Sequence, residues 1–252
     1  MAGRDNWVAL QSTVETKVMQ KEQSGGILLG KEHMMFPRTY GLVSSETRTL
    51  PKNTAALEAL CQRYPGLVNV MLVPAASAVY PENVPAGAPL LDEDSYLDAL
   101  SEAVQTAGGR FVDVRQTLAD HKGEYIYYRT DHHWTSTGAY YAYQQLCTAL
   151  GLTPFDPSAH TARTAEGFYG THYSKARTPD AEPDTITYYD LPNALTIYTV
   201  TAPGQPAEGE TTGLYDTDKL SVYDKYATFL HGNNGLSRIK GDGTGRGRIL
   251  VI

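Results

Sequence analysis

The sequence has no long hydrophobic run and carries little charge. No window of the 252-residue chain reaches the roughly 18 apolar residues that a membrane-spanning helix needs. Its first six residues are polar, so the start does not look like a secretion signal. Either the protein is cytosolic or a targeting segment has been removed. Lys and Arg total 21 against 28 Asp and Glu, without a long basic run. This balance argues against a nucleic-acid partner, because neutralising phosphates needs clustered basic residues.

Cysteine is also scarce. The two cysteines, Cys61 and Cys147, lie far apart in the sequence, and neither has the spacing of a zinc site. Each falls in an amphipathic stretch, which favours two buried free thiols. A disulfide between two packed helices stays open as an alternative.

The remaining composition is that of a soluble globular protein, with 41% hydrophobic residues and 18 tyrosines against 5 phenylalanines. Helical and strand patterns alternate over 52–150, which predicts βαβ units and an α/β domain of three layers. The predicted elements are helices at 52–64, 95–107 and 136–150 and buried strands at 68–73 and 111–114.

The regions on either side of 52–150 have a different composition and pattern. Residues 1–25 predict a polar helix, and 155–215 predict an irregular, β-rich insertion in one domain that spans 1–252. Within the insertion, 186–189 and 195–200 alternate apolar and polar residues, as a half-exposed antiparallel pair would. The Gly-rich stretch 241–248 predicts a hairpin turn, and 249–252 predict the start of a central strand.

The segment 125–138 is the strongest candidate for a chemical site. A short aromatic strand leads into Asp131, His132, His133 and Trp134, and a helix follows with Thr135 or Ser136 as its N-cap. Asp131 and His133 are two residues apart, so their side chains can point the same way. The carboxylate can then fix the imidazole tautomer and leave Nε2 to act as a general base.

The Asp131-His132-His133-Trp134 block, followed by Thr-Ser-Thr-Gly, resembles the signature of the DHHW family of bacterial proteins. That family is SGNH-hydrolase-like and related to the alginate O-acetyltransferases. Residues 27–31, 72–85, 168–175 and 226–234 also look like the family. The resemblance implies a three-layer, flavodoxin-like fold around a parallel sheet, and catalysis by a serine with His133 and Asp131.

The same resemblance implies a permuted order, with the nucleophile strand late in the chain. Residues 249–252 stand where that strand would begin, so we expect the Asp-Ser nucleophile block after Ile252 and a domain incomplete at its C-terminus. Asp94-Ser95 is the only Asp-Ser pair present, and it opens a helix as an N-cap would. The chain is therefore predicted to hold the base and its orienting carboxylate without the nucleophile, and to be inactive as it stands.

Further residues are candidates for substrate or oxyanion contacts. Asn233 can supply an amide to an oxyanion hole, although an Asn-Gly-type turn is the alternative. Tyr226 flanks that block, and packing is the simpler interpretation of it. His132 is expected to shape the site by hydrogen bonding and Trp134 by packing its indole. His172 is a candidate to line the same cleft, although a surface loop is the favoured interpretation. Asp113 is predicted to make a structural hydrogen bond at a strand end.

The resemblance implies an ester hydrolase or O-acetyltransferase that acts on a cell-envelope or exopolysaccharide hydroxyl. It needs neither a metal nor an organic cofactor. By resemblance it lies outside the cytoplasm, secreted or held by an N-terminal anchor absent here, with a membrane acyl donor as partner. One alternative is a non-catalytic carbohydrate-binding scaffold with a degenerate site. Another is a metal phosphoesterase, since Asp-His-His also occurs among metal ligands.

Overall fold

A computed structural model describes residues 3–39, 49–198, 200–202, 205–206, 210–240 and 249. The chain divides into two compact units. The first combines Met1–Asp156 with Tyr169–Ile186, and the second combines Pro157–Phe168 with Thr187–Ile252. The predicted single domain with an insertion at 155–215 stays a prediction.

Helices dominate the first unit. They are α1 (Arg4–Thr13), continued by a π-helical turn (Val14–Val18), α2 (Leu50–Arg63), α3 (Ala76–Val79), α4 (Glu93–Thr106), α5 (Arg115–Asp120), α6 (Ser136–Leu150) and α7 (Thr171–Ala176). Both ends of α6 have capping residues. The Thr135 hydroxyl accepts from the Gly138 amide, and Gly151 ends the helix at a φ of 67°. No helix among the described residues is long and apolar enough to span a bilayer.

Two small sheets complete the first unit. Strands β1 (Gln23–Ser24), β2 (Ile27–Leu29) and β3 (Met35–Pro37) form an antiparallel meander, and β4 (Asn69–Val70) pairs in parallel with β5 (Arg110–Phe111). The β4–β5 pair lies in a core cluster with Cys61, Leu100 and Val104, from α2 and α4. Gly109 allows the chain before β5 to approach α2 closely, because a Cβ there would come within 2.5 Å of the Cys61 sulfur.

The main core of the first unit supports the segment that carries the candidate site. Phe36, Val114, Leu118 and Ile126 are fully buried in it, and Tyr127 is nearly so. Apolar burial of this extent stabilises a fold by about 1.5–3 kcal/mol per side chain. The backbone next to Asp131 is thus attached to a close-packed interior.

The second unit is built from short strands. They are β6 (Ala162–Phe168), the end of β7 (Asp184–Tyr189), β8 (Ala194–Tyr198), β9 (Val200–Ala202), β10 (Gln205–Pro206), β11 (Glu210–Thr212) and β12 (Leu236–Lys240). Strand β8 is central in an antiparallel sheet between β11 and β12, while β6 pairs with β7 and β9 with β10.

Several predicted elements differ from the observed ones. The apolar run at 68–73 contributes only Asn69–Val70 to a sheet, and Leu72 and Val73 are 37% and 42% exposed. Of the strand predicted at 111–114, only Phe111 is paired. The described strands form small sheets of two or three strands. The extended three-layer parallel sheet stays a prediction.

Two local predictions are wrong. Residues 186–189 and 195–200 do not pair with each other, because β7 pairs with β6 and β8 with β11 and β12. Alternation shows that a strand has two unlike faces, but it carries no information about the partner. The N-cap of α4 is Asp92, whose carboxylate accepts from the Ser95 amide, and not the Asp94-Ser95 pair. The turn predicted at 241–248 and residues 250–252 lie outside the described residues.

Candidate active site

The candidate site lies at the tip of a hairpin-like turn. Tyr127 and Trp134 form an isolated antiparallel bridge, and the Thr135 amide donates to the Ile126 carbonyl oxygen at 2.9 Å. The Tyr127 hydroxyl donates to the Pro74 carbonyl oxygen at 2.6 Å, which ties the turn to the segment after β4. The aromatic residues predicted as a strand therefore form one arm of this turn.

Asp131 is a buried carboxylate with several hydrogen-bond donors around it. Its side chain is 2% exposed. Oδ1 accepts from His133 Nδ1 at 2.5 Å and from the His133 amide at 3.0 Å, and Oδ2 accepts from the Thr171 amide at 2.7 Å. Burial alone raises the pKa of this carboxyl, but the hydrogen bonds from His133 and Thr171 outweigh burial and hold the pKa well below its usual range. Asp131 is therefore ionised at neutral pH.

His133 is oriented by that carboxylate. Because ionised Asp131 can only accept, Nδ1 of His133 carries the proton that it donates, and Nε2 is the nitrogen with basic character. The His133 side chain is 34% exposed. This is the geometry of a general base whose tautomer is fixed by a carboxylate. The predicted Asp131–His133 contact is present.

His132 and Trp134 flank the pair. The His132 ring lies 3.8 Å from the His133 ring, and its Nδ1 is 2.8 Å from the Thr171 hydroxyl. Desolvation lowers the pKa of His132 below its usual value. Trp134 packs against the main core. The roles of both residues in shaping the site and in substrate contact stay predictions.

The start of α7 completes the surroundings of Asp131. Gly170 precedes the helix in an extended conformation, and a Cβ there would come within 2.2 Å of the Asp131 Cβ. Only a glycine lets the backbone approach closely enough for the Thr171 amide to reach Oδ2. Residues 168–175 are one of the blocks that carried the family resemblance, but their sequence does not show that they contact Asp131.

His172, predicted to lie in a surface loop, is instead buried on α7 and 5% exposed. Its amide donates to the Thr130 carbonyl oxygen at 3.0 Å, and its ring lies 6.1 Å from that of His132. Desolvation lowers the pKa of His172 to about 4, so it is neutral at physiological pH. The prediction failed because the Gly- and Thr-rich context is typical of loops, while the burial comes from contacts with a segment 40 residues away.

A cavity of about 570 Å³ adjoins the pair. His132, His133 and Trp134 line one part of it, and its remaining wall is largely apolar, with Leu72, Val73, Leu91, Tyr96 and Leu97. Glu93 also lines it and accepts from the Ala75 amide at 2.9 Å. Burial raises the pKa of Glu93. Nothing in the sequence places this glutamate beside His133, because it has the pattern of an ordinary first-turn helix residue.

Asp131, His132 and His133 are also the described residues best placed to hold a metal ion, with ligand atoms within 4.8 Å of one another. A metal would need lone pairs from its ligand atoms. Here His133 Nδ1 instead donates a proton to Asp131 Oδ1. In this arrangement the nitrogen of His133 that keeps a lone pair for a ligand is Nε2.

Tyr226 and Asn233 belong to the second unit. Tyr226 packs its ring against Phe168 and Phe229, with centroids 6.3 Å and 5.1 Å away. The roles of Asn233 and Tyr226 stay predictions. Asp113 makes the structural interaction expected of it, because both carboxylate oxygens accept from Arg115. Cys61 and Cys147 are buried free thiols, as favoured.

The small parallel pair, the surrounding helices and the carboxylate–imidazole pair define an SGNH hydrolase-like domain. Residues 27–210 match the model of the family described as "SGNH hydrolase-like domain, acetyltransferase AlgX", and the chain belongs to this family. The predicted resemblance is confirmed.

Solved structures agree on the fold. A DHHW family protein from Eubacterium siraeum is 25% identical, with a TM-score of 0.65 over 88% of this chain and 73% of that one. The O-acetyltransferase domain of Pseudomonas putida AlgJ is 20% identical, with a TM-score of 0.50 over 64% of this chain and 63% of that domain. Bacillus cereus PatB1 is 13% identical, with a TM-score of 0.51 over 81% of this chain and 71% of that one. No curated protein matches the chain in sequence.

Proposed function

We propose that this chain carries the general base of an SGNH-type O-acetyltransferase, with His133 as the base and Asp131 as the carboxylate that orients it. The observation that carries the proposal is the 2.5 Å contact between His133 Nδ1 and the buried carboxylate of Asp131. Membership of a family described as acetyltransferase AlgX supports the reaction class.

In this reaction a serine hydroxyl attacks the carbonyl carbon of an acetyl ester, and His133 Nε2 takes the hydroxyl proton. Asp131 stabilises the imidazolium that forms. The proton then passes to the leaving alcohol, and the acetyl group stays on the serine until a second hydroxyl accepts it. The identity of the serine stays a prediction.

The acceptor we propose is a hydroxyl of a cell-envelope polysaccharide or exopolysaccharide, outside the cytoplasm, with an acyl donor held at the membrane. Hydrolysis competes with transfer, since water can take the place of the sugar hydroxyl. The apolar wall of the cavity beside His133 suits the acyl part of an ester. We further propose that the domain has the extended parallel sheet of its fold class.

The test uses the full-length protein, with p-nitrophenyl acetate as donor and an unacetylated oligosaccharide as acceptor. His133→Ala is expected to lower the transfer rate at least about a hundredfold, because general-base catalysis contributes about 10²–10⁴. The matched control is His121→Ala, which removes a histidine whose ring stacks on Tyr141 on the surface of the same unit. This control is expected to keep the wild-type rate.

Two outcomes would contradict the proposal. Turnover that survives His133→Ala would show that another group is the base. A wild-type protein that binds the oligosaccharide but transfers no acetyl group would favour the carbohydrate-binding scaffold.

A further inference from the structure

A second buried carboxylate, Asp184, lies close in the structure to the candidate site and has no part in the proposed reaction. It is the first residue of β7 and is 1% exposed. Four hydrogen bonds converge on it. Oδ1 accepts from the Tyr125 hydroxyl and from the Arg129 amide at 2.8 Å, and Oδ2 accepts from the Thr130 amide at 2.8 Å and the Thr130 hydroxyl at 2.5 Å.

These hydrogen bonds hold the backbone immediately before Asp131. A carboxylate removed from water is costly unless hydrogen bonds satisfy it. The Arg129 and Thr130 amides are therefore held where both can reach Asp184. A rotation of the backbone at Arg129 and Thr130 therefore breaks at least one hydrogen bond to the buried Asp184 carboxylate.

Thr130 extends the same network to α7. Its hydroxyl accepts from the Gly170 amide at 3.0 Å, and its carbonyl oxygen accepts from the His172 and Tyr173 amides at 3.0 Å and 3.1 Å. Gly170 precedes the residue whose amide donates to Asp131 Oδ2. Asp184 thus acts on both segments that surround Asp131: the turn that carries it and the helix start that binds it.

We propose that Asp184 is a positioning residue for the Asp131–His133 pair, acting through Thr130 and the start of α7. The inference rests on the proposed function, because it states that Asp184 holds Asp131 in the position where its carboxylate accepts from His133 Nδ1. The hydrogen bonds of Asp184 go to Tyr125, Arg129 and Thr130 and not to the imidazole.

The test compares Thr130→Val with Thr130→Ser. Valine has nearly the shape of threonine but cannot bridge Asp184 and Gly170, whereas serine keeps the hydroxyl. The first readout is the proton resonance of His133 Nδ1 in the 252-residue chain, which a short bond to a carboxylate shifts downfield. We expect Thr130→Val to broaden or abolish this resonance, and Thr130→Ser to keep it.

The second readout is acetyl transfer by the full-length protein. Because misplacing a catalytic group by about 1 Å can cost about a hundredfold, we expect Thr130→Val to lower kcat between tenfold and a hundredfold, with KM unchanged. Asp184→Asn should act in the same direction, since an amide nitrogen cannot accept from the amides it would face.

Two controls separate positioning from general destabilisation. Thr148→Val removes a threonine hydroxyl that donates to a helical carbonyl oxygen within α6. Val104→Ala lowers stability through the core cluster around β4 and β5. Both should keep the His133 resonance and kcat.

The inference is overturned if Thr130→Val and a folded Asp184→Asn both keep the resonance and kcat while Asp131→Asn abolishes them. It is also overturned if Val104→Ala matches the effect of Thr130→Val. If Asp131→Asn itself changes neither readout, the proposed function has failed instead.

Discussion

The sharpest test of the site's architecture is the substitution Gly170→Ala. The backbone of Gly170 is extended, with φ −87° and ψ −163°, so alanine introduces no backbone strain there. Any effect must then come from the added methyl group. That methyl carbon would lie 2.2 Å from the Asp131 Cβ and 2.3 Å from its Oδ2.

The size of the effect follows from these distances. Two carbon atoms reach optimal contact at roughly 3.5 Å, so Asp131 and the start of α7 must separate by about 1.3 Å. The hydrogen bond from the Thr171 amide to Asp131 Oδ2, now 2.7 Å, would then reach about 4 Å and be lost. Overpacking of a close-packed site costs about 1–3 kcal/mol of unfolding free energy. A displacement of this size at a catalytic group can cost about a hundredfold in rate.

Urea denaturation measures the unfolding free energy, and the His133 Nδ1 proton resonance reports on the pair. The control is Gly123→Ala, because a Cβ at Gly123 meets nothing within 4 Å. We expect Gly170→Ala to lose stability and the resonance, and Gly123→Ala to keep both. A Gly170→Ala protein with wild-type stability and an unchanged resonance would refute the close approach of the two segments.

Two further predictions follow from buried groups. Asp131 has a lowered pKa in the folded state, so its stabilising contribution is complete above the unfolded pKa near 4. That contribution is lost as pH falls through the folded pKa. Urea titrations at several pH values should therefore show the free energy of unfolding falling more steeply below about pH 4 in wild type than in Asp131→Asn. Parallel plots of this free energy against pH would contradict the lowered pKa. Cys61 and Cys147 are buried free thiols, and burial raises the pKa of Cys61. Without reductant, Ellman's reagent should react slowly with the native protein and should detect both thiols once the protein is denatured. A failure to detect thiols after denaturation would indicate a disulfide.

The local part of the site could be predicted from the sequence. Asp131 and His133 are two residues apart in a turn, so their contact depends on few backbone angles. The N-cap at Thr135 and the helix that follows are likewise set by neighbouring residues. Features of this kind depend on short-range geometry, which residue types and spacing describe well.

The partners of the pair could not be predicted, because they are distant in sequence. Thr171 lies 40 residues from Asp131, and Asp184 lies 54 residues from Thr130. Neither belongs to a pattern that indicates its partner. The same limit explains the apolar run at 68–73: its composition favours a strand, but the extent of pairing depends on a neighbouring strand that composition does not describe.

The energetic cost of the site bears on the choice between an enzyme and a binding scaffold. Two carboxylates, Asp131 and Asp184, are removed from water within one small region, and each is stabilised by hydrogen bonds from the backbone. Replacing such groups with apolar residues of similar volume is often neutral or stabilising. Binding a carbohydrate does not require an imidazole held in one tautomer by a buried carboxylate, whereas proton transfer to Nε2 does. The arrangement around His133 therefore supports the proposal that this imidazole acts as a base.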